Sequence, residues 1–248
     1  MSQFFTANYT GPAFVLFGSF HLAALACIVA LNLFLLQLRN SSESTKHNIR
    51  WTMALVLWGN EIGWHIWNAA VGRWTIQTML PLHVCSILVW LGALMLVTKS
   101  YSIYEFMYFI GIGGALQALL TPDIGIYGFP HFRFFQTFIS HGLIVTAAIY
   151  KTTVEGFRPT WKSFVRVAVL TNVYMVIVFF INSTIGSNYM MINGKPATAS
   201  ILDLLPPWPI YIIYMEVLGI VTFLLLYIPF IIKDWRAKAS ARQGSVQL

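Results

Sequence analysis

Charge is scarce in this chain. Only 9% of its 248 residues are Asp, Glu, Lys or Arg, against about 25% in a soluble domain. That shortage excludes an ordinary soluble enzyme and leaves no room for a sizeable soluble domain. Cysteine is scarce as well. Cys27 and Cys85 fall in different hydrophobic runs and at different depths, so no disulfide is expected between them. No Lys or Arg precedes the first apolar run and no small-residue cleavage site follows it, so no cleavable signal peptide is expected. Neither HxxxH nor HExxH spacing occurs, which removes the common helical zinc signatures. No lysine lies inside the last apolar run, because Lys233 stands at its end; that argues against a retinal protein. Internal repeats and low-complexity segments are lacking too.

Apolar residues are abundant, at 58%, with 16% aromatic. Hydrophobic runs of about 20 residues recur along the chain, the length that spans a bilayer as helix. The expected fold is all-α, a polytopic membrane bundle of seven transmembrane helices. They are read at 13–38, 50–72, 78–98, 102–120, 132–151, 161–182 and 208–233, with 1–233 as the membrane domain and 234–248 as a basic tail. The net charge of +7 would suggest nucleic acid in a soluble protein. Here the cations sit in short connectors, so no nucleic-acid partner is expected. Twelve of the 15 Lys and Arg residues fall on one side of the seven-span topology and three, Arg73, Arg133 and Lys195, on the other. The positive-inside rule then puts the N-terminus outside and the C-terminal tail in the cytoplasm.

This threading gathers five of the six histidines in the outer half of the membrane. His21, His65, His83, His131 and His141 are joined there by Glu61, Gln117, Asp123, Arg133, Asn182 and Cys85. Ionisable groups in lipid cost roughly 2.5–3.5 kcal/mol each at a helix centre on insertion scales, so such a gathering points to a polar pocket. Glu61, His65 and Asn68 are spaced i, i+4, i+7 and share a helix face. The bland alternative is a hydrogen-bonded knot between helices. Helix 3 is expected to open with Pro81 in its first turn. His83 and Cys85, two residues apart, would then point in nearly opposite directions, and any base for Cys85 would come from another helix. A free buried cysteine is otherwise a small inert hydrophobe. In the fifth span Arg133, Gln136, Thr137, Ser140 and His141 form one stripe. His141 suits a general base or ligand; Arg133 suits either a phosphate clamp or an interfacial anchor. The small residues Gly111, Gly113, Gly114, Ala115 and Ala118 read as helix packing. Glu105 is expected to be solvated at the inner surface, and Glu216 to reach the pocket.

Five ordered segments resemble a known family. PLHVC, ALQALLTPD, FPHFRFFQTFISHG, NSTIGSNYMMINGKP and SILDLLPPWP are similar to the signature segments of the YwaF-type bacterial integral membrane proteins, over residues 81–209 and loosely over the first two helices. The resemblance implies a bacterial plasma membrane protein. It also implies kinship with an animal membrane acyltransferase that remodels ether phospholipids through a cysteine nucleophile. In that pattern the cysteine directly precedes the histidine of the third helix. Leu82 stands there in this chain, and Cys85 lies one turn deeper. The histidine of the SHG segment corresponds to His141.

Three functions follow as expectations. The first is phospholipid acyl transfer, with His141, Cys85, His83, His65 and Glu61 as catalytic candidates. Arg133, His131, Gln117, Asp123, Asn188, Tyr189, Lys195 and Asp203 are the substrate-binding candidates. An outward pocket would take its acyl group from a membrane phospholipid rather than from cytoplasmic acyl-coenzyme A. This reading needs no cofactor and no metal. The second is a zinc hydrolase drawing on His65, His83, His131 and His141 with Asp123 or Glu61. The third is a transporter or receptor without chemistry. Oligomeric state is not legible.

Overall fold

The computed structural model describes residues 3–195 and 201–245, with side chains for 3–195 and 203–237. Residues 246–248 of the expected tail lie outside the described residues. Among the described residues the chain is all-helical and has seven long helices. These are α1 (Ser19–Leu36, prolonged by a 3-10 turn, Gln37–Asn40), α2 (Glu43–Ala70), α3 (Val84–Thr98), α4 (Tyr101–Leu120), α5 (Phe132–Thr153), α6 (Trp161–Ile185) and α7 (Ile210–Ser245). Five are long and apolar enough to cross a membrane: α1 with its extension, α4, α5, α6 and α7 to Ala237. The other two have local reasons to fall short. α2 carries Glu61 and His65 in mid-helix, and α3 has 15 residues, about 22 Å of helix.

Several boundaries differ from the apolar runs. Ser42 caps α2, its side chain accepting from the Thr45 N–H, so the helix begins seven residues before its hydrophobic run does. Helix α3 begins late. Pro81 lies in the link before it, not in its first turn, and His83 is the extended N-cap residue, at φ −69° and ψ 143°. The backbone of α7 continues helical to Ser245.

Helix α5 is the hub. Its apolar window is 61% buried, and it packs against α1, α2, α3 and α4. Helix α4 carries the contacts onward to α6 and α7. The windows of α1, α6 and α7 are only 11%, 17% and 6% buried, so these helices present apolar faces outward, as lipid contact requires. The core between α2, α3, α4 and α5 is close-packed around Leu57, Ala93, Leu96, Met107, Phe109 and Ile144, each fully buried.

The two ends of the bundle differ. At the basic end, Lys99 Nζ reaches Glu43 (3.4 Å) and Arg158 pairs with Asp234 (2.5 Å). Arg50 donates to Glu155 (2.5 Å), and Lys151 Nζ donates to the other oxygen of the same carboxylate while lying 4.1 Å from the centre of the Phe157 ring. Arg50 and Lys151 are 4% and 0% exposed. Glu105 is not solvated as expected. It is buried and accepts from Arg166 Nη1 at 2.7 Å, tying α4 to α6. Hydropathy assigns these charges to the surface one by one; pairing is what lets them enter the protein.

The opposite end is closed by two segments. Residues 3–18 plug α2 and α5: the carbonyls of Phe4, Phe5 and Ala7 accept from Phe132 N, Trp67 Nε1 and Tyr127 Oη at 2.8–2.9 Å. Gly128 is needed there, because a Cβ would lie 2.2 Å from the Pro12 carbonyl oxygen. In the link before α7, residues 186–195 form a strap. Asn182, 1% exposed, holds it through its whole amide: Nδ2 donates to Tyr189 O and Asn193 Oδ1, and Oδ1 accepts from Tyr189 N and Ser187 Oγ.

Candidate functional site

A cavity of about 670 Å³ lies between the α2–α5 core and the α6–α7 pair, under the strap. Its size falls within the range of small-molecule sites, about 300–1,000 Å³. Helices α2 to α7 each contribute one face. Helix α4 supplies Ile110, Gly113, Gly114 and Gln117, spaced i, i+3, i+4, i+7; α5 supplies Arg133, Gln136, Ser140 and His141. A π-helical turn at Met107–Gly111 opens the α4 face and includes Ile110; such turns are frequent at functional sites. From the basic end, at 1.5 Å per residue, Cys85 and His141 both stand at about 20 Å. Glu61 and Arg133 stand at about 27–30 Å, and Phe109 and Phe223 form a floor at about 12–16 Å. The ionisable groups thus stand above an aromatic floor. Met215 and Leu218 of α7 line the cavity and are 37% and 49% exposed, so the space is open beside α7.

Six of the catalytic and substrate-binding candidates meet here: Glu61, His83, Cys85, Gln117, Arg133 and His141; Gln136 and Ser140 of the same stripe line the cavity too, as does Glu216, which was expected to reach it. The late start of α3 is the reason His83 and Cys85 share a wall. His83 precedes the helix, so the angular separation of i and i+2 on a regular helix does not apply to it.

The two cavity histidines are held in opposite tautomers. The Met190 N–H donates to His83 Nδ1 (3.2 Å). A neutral ring that accepts at Nδ1 carries its proton on Nε2, so His83 offers a donor. His141 Nδ1 lies 2.9 Å from the Thr137 carbonyl oxygen. A carbonyl only accepts, so Nδ1 carries the proton there and Nε2 is left as a lone pair. Neither Nε2 has a hydrogen-bond partner among the described residues. The strap supports the first assignment. Met190 and Met191 line the cavity at φ 59° and 55°, left-handed backbone that costs a non-glycine residue on the order of 1–2 kcal/mol each. The Tyr189 ring packs edge-on against His83, and Tyr211 Oη donates to the Met191 carbonyl.

Arg133 is positioned from three sides. Its Nη1 donates to Gln136 Oε1, its guanidinium lies 4.1 Å from the centre of the Trp64 ring, and the charges of Glu61 and Asp123 act on it. Gln136 Nε2 donates in turn to Ser140 Oγ (3.3 Å), which also accepts from Asn60 Nδ2 (2.6 Å). His65 stands behind Glu61. Trp74 Nε1 donates to His65 Nδ1 (3.0 Å), which directs Nε2–H toward Glu61 Oε1 at 3.7 Å, beyond direct hydrogen-bond reach.

The other expected residues are elsewhere. His131 is fully buried; its Nδ1 caps α5 by accepting from Arg133 N, and its Nε2 donates to Thr6 O. His21 is likewise saturated, between Phe17 N and Leu119 O. Asn188 binds Gly194 O and Asn193 N within the strap. The Tyr189 hydroxyl is taken up by Ile76 O and Leu80 N. Lys195 Nζ donates to Leu205 O (2.7 Å). Asp123 and Asp203 are exposed. Among the described residues no three His, Cys, Asp or Glu side chains gather closely enough to hold a metal ion, so the histidine set of the zinc reading does not converge. Both cysteines are free, and Cys27 lines a different, apolar groove of about 450 Å³ between α1 and α5. Trp64, Met190 and Met191 escaped sequence reasoning; an aromatic one turn from Glu61 was the available signal for Trp64.

Fold and site together define a polytopic helical membrane protein with a polar cavity among its helices. More particularly, the chain belongs to the TMEM164 family, whose model matches residues 16–227. No curated protein and no solved structure matches it.

Proposed function

We propose that the protein is a phospholipid acyltransferase that moves an acyl chain between lipids of the membrane. One observation carries the reading. A thiol, a histidine with a free lone pair, a histidine with a free N–H and an arginine line one cavity whose floor, at Phe109 and Phe223, is apolar. His141 Nε2 takes the Cys85 thiol proton as Sγ attacks the ester carbonyl of a donor phospholipid. The C–O bond breaks, and the departing glycerol oxygen takes that proton from His141. A thioester on Cys85 and a lysolipid remain. An acceptor lysolipid hydroxyl, deprotonated by His141, then attacks the thioester; the C–S bond breaks and the sulfur recovers the proton. His83 Nε2–H donates to the oxyanion in both steps. Arg133 and Gln117 hold the phosphate at the polar end. Glu61 balances the charge of Arg133, and His65 positions Glu61.

In the membrane this reading has seven crossings, α2 and α3 completing the five apolar helices, in the plasma membrane of a bacterium. The strap lies outside and the basic end in the cytoplasm, which suits a donor taken from the outer leaflet. The test is purified protein with labelled phospholipid and unlabelled lysolipid. Wild type transfers label; Cys85→Ala does not, and a labelled thioester accumulates when acceptor is withheld. Full activity in Cys85→Ala removes the thiol mechanism. The π-helical turn in α4 favours a second reading, carriage of the same lipid without chemistry. Label that crosses the bilayer with its ester intact selects that reading.

A further inference from the structure

Glycines that line helices usually serve close packing, and several here do. A Cβ on Gly92 would meet Met107 Cε at 2.7 Å, one on Gly111 would meet Ile144 Cγ2 at 3.2 Å, and one on Gly113 would meet Thr222 Cγ2 at 2.9 Å. Gly114 and Gly219 differ. Both line the cavity, and a Cβ on either would meet nothing within 4 Å. A packing role does not account for them, because no neighbour uses the space their missing side chains leave. They stand on α4 and α7 at about 20–22 Å from the basic end, level with Cys85 and His141. The α7 face that carries Gly219 also carries Met215 and Leu218, which line the cavity and are exposed.

We infer that Gly114 and Gly219 keep open the channel for the acyl chain of the lipid, and so set the longest chain the cavity accepts. This rests on the acyl-transfer reading for its ligand class. A chain whose carbonyl lies at the level of Cys85 runs past both positions on its way to the α7 face. A side chain at either fills the same space, so the two substitutions overlap in effect instead of adding. Each methylene that loses its seat costs about fourfold in affinity.

The test uses the full chain in detergent and native mass spectrometry with saturated phosphatidylcholines stepped from octanoyl to stearoyl. Wild type gains affinity with each added step up to the longer members. In Gly114→Leu and Gly219→Leu the gain stops several methylenes earlier, while the short-chain members bind as before. The double variant resembles either single one. Gly114→Ala and Gly219→Ala move the limit in the same direction by less, and they fold, because alanine is the stronger helix former. Gly59 is the control: it is helical and exposed, with open space beyond it and no place in the cavity, so Gly59→Leu keeps the wild-type profile. An unchanged profile in the cavity variants, or an equal loss at every chain length, overturns the inference. Binding is read without turnover. A wild type that binds by chain length but transfers nothing therefore removes the acyl-transfer reading and leaves this one standing.

Discussion

Glutamine in place of each cavity histidine separates a base from a donor. The amide of glutamine donates and accepts hydrogen bonds but does not take up a proton near neutral pH. His141 carries its proton on the side of Thr137 and presents a lone pair to the cavity, so His141→Gln removes the general base. Such groups contribute about 10²–10⁴-fold, or about 2.7–5.4 kcal/mol of barrier at 1.36 kcal/mol per decade. His83 accepts from Met190 N and presents an N–H. Glutamine there keeps a donor, and His83→Gln stays within about tenfold of wild type in kcat. His83→Leu has no donor and falls by about 10²–10³, the loss for one oxyanion donor. The assay is single-turnover transfer of a labelled acyl chain, with lipid binding measured separately so that a lost binder is not mistaken for a lost base. Equal losses in the two glutamine variants refute the tautomer assignment. A His141→Gln enzyme that keeps full turnover refutes the base.

Three further outcomes are expected. Glu155→Gln leaves Arg50 and Lys151 buried without their shared carboxylate and destabilises the protein by about 3–5 kcal/mol in denaturant titration; a loss under about 1 kcal/mol would show the cluster to be hydrated. Replacing all three by Met, Leu and Met restores stability, because the buried charges go together. Asn182→Ala releases the four hydrogen bonds that hold the strap, and limited proteolysis then cuts within 187–195 faster than in wild type while the helices stay intact. Lys195→Cys in a Cys27→Ser, Cys85→Ser background reacts with an impermeant maleimide in intact cells; reaction only after lysis would reverse the proposed orientation.

The sequence by itself determined the helices and their order. Apolar runs locate α4 and α5 to within two residues at each end, because helix formation in an apolar chain depends on neighbours a turn or two away. It also named most of the ionisable residues of the cavity, since such groups in apolar runs are conspicuous. Boundaries set by the Ser42 cap and by the extended backbone at His83 were not visible to hydropathy. Facing and protonation were decided by tertiary structure alone. His21, His131 and His83 look alike in sequence, yet each is governed by a partner 98, 125 or 107 residues away. The first two are saturated by Leu119 and Thr6, and the third is turned into a donor by Met190. The glycines of α4 divide in the same way. Gly113 touches α7 while Gly114 faces open space, and one residue of helix rotation separates them. Local patterning places such residues on a helix; the non-local contacts around them decide whether they hold the fold or face the ligand.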